Sequence, residues 1–154
     1  MQPNISLTKT EQEQATTQLK TILADTALLY QKMRNYHWNV RGIHFNDLHA
    51  FFETLYTELE TSIDDIAERI RALGGNAPGT LQEFLELTRL KEEPRTVPHS
   101  EEMIQKTLVD YEKTIQHLRE TIQQGVDVGT EDFLTGMLQT FEKRTWMIRS
   151  MLEE

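Results

Sequence analysis

The chain has no cysteine among its 154 residues. Disulfides, thiolate metal sites and cysteine nucleophiles are therefore excluded, and any redox work falls to a metal or an external oxidant. There is also no apolar run of 18 residues, so no membrane-spanning helix is expected. The opening MQPNISLTKTEQEQ has neither the basic start nor the apolar core of a secretory signal, and the expected location is the cytoplasm. No phosphate-binding glycine loop and no nucleophile elbow occurs, which removes support for nucleotide and serine-hydrolase chemistry. Positive charge is scarce: 16 Lys and Arg stand against 25 Asp and Glu, a formal charge of −9. With 38% hydrophobic and 27% charged residues, the chain reads as one globular domain over residues 1–154, large enough for a single core.

Helical periodicity dominates what is present. From about residue 6 to residue 39, Leu7, Ala15, Leu19, Ile22, Leu23, Leu29, Met33 and Tyr36 recur at helical intervals. Val40-Arg41-Gly42 breaks that helix, and Asn46 is the expected N-cap of a second one, ending at Gly74-Gly75-Asn76. Thr80-Leu81-Gln82-Glu83 is a capping box that opens a short amphipathic helix. After a loop with Pro94 and Pro98, Ser100 is expected to cap a third long helix to about Gln124. Following a turn from Gly125 to Gly129, Thr130 begins a fourth, whose stripe includes Phe133, Leu134, Met137, Phe141, Trp146 and Ile148. The expected fold is all-α, a four-helix bundle with a short extra helix between the second and third helices.

Chemistry concentrates between His37 and Arg69. On the second helix His49 and Glu53 stand four residues apart, as do Asp64 and Glu68, so each pair shares a face one turn apart. Eleven residues separate Glu53 from Asp64, which keeps both pairs on one face but leaves them roughly 16 Å apart at the helical rise. One metal cannot reach both pairs in one chain. A second copy of the helix, antiparallel about a two-fold axis near Glu58 and Leu59, brings His49 and Glu53 opposite the partner's Asp64 and Glu68 and creates two equivalent sites. His37, just before the break, can supply a second imidazole. Such a nitrogen and carboxylate set suits iron, manganese or zinc. Acids on a solvated helix face are the simpler explanation for one such pair, but two pairs in register weigh against it. Glutamate three residues before histidine, the mark of di-iron bundles that build the site within one chain, occurs nowhere.

His37-Trp38, Val40, Gly42, Phe45, Leu48-His49, Phe52-Glu53, Tyr56, Asp64 and Ala67-Glu68-Arg69 together resemble the signature of the Dps family, the miniferritins also called DNA protection during starvation proteins. The resemblance extends to Lys143-Arg144-Thr145-Trp146 and so covers nearly the whole chain. It implies a ferritin-like subunit in a hollow homododecamer, with ferroxidase sites at two-fold interfaces where His37 and His49 of one subunit meet Asp64 and Glu68 of another. Glu53 matches a position that carries Asp or Glu in that family. The implied substrate is iron, Fe(II) oxidised to a stored ferric mineral with hydrogen peroxide as the favoured oxidant, and zinc or manganese are expected substitutes at the site. The resemblance also gives Trp38 a redox role beside the site, against core filling as the alternative. It places Asp127, Glu131 and Asp132 at a three-fold pore, where stabilising a helix N-terminus is already sufficient reason for acids.

Tyr56 reads as interface packing. His44, His99 and His117 are left outside the site. A DNA-binding, chromosome-condensing protein is the rival reading, and a metal-free helical interaction module is a third. Residues 1–14 offer only Lys9 against Glu11 and Glu13, so DNA binding is expected to be weak or absent.

Overall fold

The computed structural model describes residues 3–153, and five helices account for most of them. Helix α1, Lys9–Asn39, is opened by a capping box: the Thr8 hydroxyl accepts from the Glu11 N–H while the Glu11 carboxylate accepts from the Thr8 N–H at 2.7 Å. It starts later than the periodicity suggests because Ser6 has φ 59, a left-handed conformation through which a right-handed helix cannot run. Helix α2, Phe45–Ala72, has His44 and not Asn46 at its N-cap, without a side-chain cap bond. The reason is that Gly42, at φ 115, has already turned the chain and its carbonyl accepts from the Phe45 N–H at 3.1 Å. The far end follows expectation. Gly74 takes φ 85, Gly75 N–H donates to Ile70 and Gly74 N–H to Arg71, a Schellman termination.

The Thr80 capping box forms as expected and opens α3, Leu81–Leu87. Helix α4, Ser100–Gln124, is capped by the extended His99, so Ser100 is its first residue and not its cap. Helix α5, Val128–Ser150, begins two residues before Thr130 because Asp127 is the cap.

α1 packs along α2 and α4 along α5. α1 also meets α4, and the long connection between α2 and α4 lays α3 against α1. Leu19, Leu29, Met33, Phe52, Leu55, Leu59, Ile66, Tyr111, Leu118, Leu134, Phe141 and Ile148 fill the centre. Each such side chain stabilises the fold by about 1.5–3 kcal/mol through removal from water. Trp146 does not join them. It is 59% exposed, because its neighbour Thr145 takes the inward position and the next residue points about 100° around the helix. Within α3, Phe84 leans on the core while Leu81 and Leu85 face outward. None of the described helices is long and apolar enough to cross a membrane.

The crossover is held by one carboxylate. Asp25 of α1 is fully buried and accepts from Thr88 Oγ1 at 2.9 Å, the Arg89 N–H at 2.7 Å and the Arg89 guanidinium at 2.8 and 3.0 Å. His117 of α4 approaches it at 3.2 Å. No buried side-chain nitrogen or oxygen among the described residues lacks a partner. Removing the shared acceptor strands several donors at once, so Asp25→Ala is expected to lower the unfolding free energy by about 3 kcal/mol or more. The urea midpoint measures this, and a loss below about 1 kcal/mol would show that the hub holds little.

Candidate metal centre

His37 closes the last turn of α1 and His49 lies in the second turn of α2, on either side of the Gly42 turn. Their rings stack with centroids 3.7 Å apart and planes 21° from parallel. His37 Nδ1 donates to the His49 carbonyl and His49 Nδ1 donates to the His37 carbonyl, both at 2.8 Å. A carbonyl oxygen only accepts, so each Nδ1 carries a proton, which leaves Nε2 as the nitrogen of each ring available as a lone-pair donor in the neutral tautomer. Backbone groups thus fix the tautomer that a metal requires, as outer-shell partners of ligating histidines commonly do. The Phe45 ring lies beside His49, 5.0 Å away and 27° from parallel, and limits its rotation.

Glu53 is exposed on the same face of α2 as His49. Tyr56 links it to the imidazoles: its hydroxyl points at Glu53 Oε1 from 3.5 Å, and its ring stands edge-on to His37 at 5.3 Å and 80°. Desolvation pushes the Tyr56 hydroxyl above the ordinary phenol range, and the Glu53 charge adds to the shift. Asp64 and Glu68 lie exposed farther along α2, and neither has an ion-pair partner among the described residues. Those residues contain no group of three or more His, Asp or Glu able to hold a metal within one chain. The structure therefore brings His37, His49 and Glu53 to one neighbourhood and leaves Asp64 and Glu68 apart from it.

Trp38 is 58% exposed, so core filling within the chain is excluded as its role. The Arg34 guanidinium sits 4.8 Å from its ring centroid. Asp127 is committed locally. It accepts from the Gly129 and Thr130 N–H groups at 3.1 Å and pairs with Arg69 at 2.7 Å, while Glu131 and Asp132 stay exposed. His44 and His99 serve as backbone caps, and His117 belongs to the Asp25 hub. Linear spacing encodes neither the Arg69–Asp127 pair nor the edge contact of Tyr56 with His37, because both depend on contacts between helices.

A ferritin-like domain model matches residues 16–154. The chain is 39% identical to DNA protection during starvation protein 2 of Bacillus anthracis, over 86% of this chain and 92% of that one. Among solved structures, Dps from Staphylococcus aureus aligns at a TM-score of 0.86 with 34% identity, covering 91% of this chain and 95% of that one. The Dps protein of Vibrio cholerae, described as a member of a broad superfamily of ferritin-like diiron-carboxylate proteins, aligns at a TM-score of 0.92 with 27% identity, covering 99% and 97%.

The two groups of acids separate by stability. Asp127→Ala removes a helix cap and leaves Arg69 unpaired, and is expected to cost about 1–2 kcal/mol. Asp132→Ala, at an exposed position, is expected to stay within about 0.5 kcal/mol of the parent. Denaturant titration of both variants checks this, and equal losses would remove the capping assignment.

Proposed function

The chain belongs to the Dps proteins of the ferritin-like family, and on that premise we propose that it is a ferroxidase and iron store. In this reading residues 1–154 form one domain that assembles into a cytoplasmic homododecamer with no membrane association. Fe(II) is the substrate, bound by His37, His49 and Glu53 of one subunit with Asp64 and Glu68 of the partner subunit. The observation that carries the proposal is the reciprocal imidazole clasp, which fixes two Nε2 donors but belongs to a ligand set that one chain does not close.

The residues have distinct roles. His37 and His49 hold the metal without adding charge, and the three carboxylates favour Fe(III) over Fe(II), which draws the oxidation forward. Hydrogen peroxide is the proposed oxidant, with oxygen as the alternative. Peroxide takes up two electrons to give water, so storage and protection from oxidative damage become one activity. Zinc and manganese match the same donors and would compete for them. Glu131 and Asp132 are proposed to draw cations toward a pore, with Asp127 positioning the helix that carries them.

Anaerobic loading with Fe(II) followed by hydrogen peroxide, with ferric absorbance and particle mass read together, tests the proposal. Fast oxidation in a particle of twelve chains is expected, and His37→Ala combined with His49→Ala should slow the initial rate by more than about tenfold. An unchanged rate would remove the site. Mixing Asp64→Ala subunits with His49→Ala subunits should restore one of the two sites in each mixed dimer. If no mixture recovers activity, the ligands do not come from two chains.

A chromosome-condensing role has less support. Among the described residues, eight of the 16 Lys and Arg sit in ion pairs with Asp or Glu. Twelve chains at −9 each would carry −108, which opposes the approach of a phosphate backbone. In a gel shift at about 0.1 M salt without divalent ions, DNA is expected to run free at micromolar protein. A salt-sensitive retarded complex would reinstate the DNA-binding reading.

A further inference from the structure

Beside the candidate metal centre lies a cation that the chain does not neutralise. Tyr30, Arg34 and Trp38 recur every four residues along α1 and so share one face, toward which Tyr56 of α2 leans. The half-buried Arg34 guanidinium lies 4.8 Å from the ring centroid of Trp38, 5.4 Å from that of Tyr30 and 6.0 Å from that of Tyr56. Among the described residues its side chain donates one hydrogen bond, to the Tyr30 hydroxyl at 3.0 Å, and it has no ion-pair partner. No buried side-chain nitrogen there lacks a partner, so the other guanidinium nitrogens reach solvent. Stacking on aromatic rings leaves the in-plane donors of a guanidinium free. The same Tyr56 ring stands edge-on to His37 at 5.3 Å, and its hydroxyl is 3.5 Å from Glu53. One tyrosine therefore separates an open cation from two of the proposed iron ligands.

We propose that Arg34 holds a free inorganic oxyanion of the phosphate class beside the iron site, taken up as Fe(II) becomes Fe(III). The inference rests on the ferroxidase reading above and names a second ligand for the same site.

Charge sets the order of events. Three carboxylates, two neutral imidazoles and Arg34 leave two net negative charges, which repel an anion. Fe(II) cancels them. Oxidation then leaves one net positive charge in a partly desolvated setting, where an uncompensated charge is costly. A tetrahedral oxyanion restores the balance and accepts two parallel hydrogen bonds from the guanidinium fork, whose geometry matches phosphate. The step is an association in which no electron moves, and it sends ferric iron on to the mineral with its counter-anion. A carboxylate of the partner subunit is the competing occupant. The acids that the two-fold arrangement brings to this end of α2 are Asp64 and Glu68, and both are already engaged by iron in that reading.

The test loads the assembled protein anaerobically with one Fe(II) per chain, oxidises it with half an equivalent of hydrogen peroxide and measures binding of radiolabelled inorganic phosphate by equilibrium dialysis. The oxidised parent is expected to bind about one phosphate per chain, and the metal-free parent none at the same concentrations. Arg34→Met and Arg34→Gln should each raise the phosphate midpoint more than about tenfold, with Arg34→Lys in between and particle mass confirming assembly. Dimethyl phosphate, a diester like the backbone of DNA, should bind more weakly than inorganic phosphate. An unchanged midpoint in Arg34→Met or Arg34→Gln, equal binding by the metal-free parent, or equal binding of the diester would overturn the inference while Fe(II) oxidation stands. Failure of the parent protein to oxidise Fe(II) at all would overturn the ferroxidase reading, and this inference with it.

Discussion

One unbroken helix carries both halves of the candidate site, and the rise of that helix keeps them apart. α2 runs unbroken from Phe45 to Ala72, so His49 and Glu53 stand near one end of a rod and Asp64 and Glu68 near the other, with roughly 16 Å between Glu53 and Asp64. Side-chain rotation cannot close such a gap, and bending α2 would disturb a face that buries Leu48, Phe52, Leu55, Leu59, Ile66 and Ile70. The core that stabilises the subunit therefore also keeps the two candidate pairs apart. In the proposed reading, completion comes from outside the chain, with an antiparallel copy of the same helix supplying the other acids in register.

Charge is distributed in keeping with that constraint. Glu58, midway along α2, is paired with Arg144 of α5; Asp25, Asp110 and Asp127 likewise each have a cationic partner from another helix or the crossover. These pairs tie the helices together. Lys106 joins the α3–α4 loop to α4 through Glu93 and Glu102, and the two carboxylates hold its ammonium well above the usual lysine range. Asp64 and Glu68 are different, exposed and without an ion-pair partner among the described residues. Exposed acids alone are ordinary. Their place on the same helix as His49 is what the proposed ligand set builds on.

Much of this was legible in the linear sequence because it depends on local rules. Helical periodicity located all four long helices and their inward faces, Thr80 with Glu83 announced the short helix, and Gly74 marked the end of α2. The proposed ligand register rests on counting residues along one helix in the same way. Errors arose where a backbone turn preceded the side chain expected to cap. Gly42 folds the chain before Asn46, His99 is already extended before Ser100, and Asp127 outcompetes Thr130 by accepting two backbone N–H groups. Trp146 was misplaced because a large apolar residue beside a small buried threonine reads as core when only polarity is considered. The Asp25 hub, the Arg69–Asp127 pair and the edge contact of Tyr56 with His37 join positions on different elements, and no local spacing rule encodes them.

The imidazoles have a structural role beside the chemical one proposed for them, which bears on how their loss is interpreted. Each donates to the other's carbonyl and so clasps the end of α1 to the start of α2. A net hydrogen bond contributes about 0.5–1.5 kcal/mol, so losing both costs about 1–3 kcal/mol against a typical domain stability of about 5–15 kcal/mol. Neither histidine is fully buried, and the apolar contacts between α1 and α2 do not depend on them. The clasp therefore sets ring orientation more than it holds the subunit together. A chain without it should remain folded while its metal donors are gone, which allows loss of oxidation in such a chain to be read as chemistry and not as collapse.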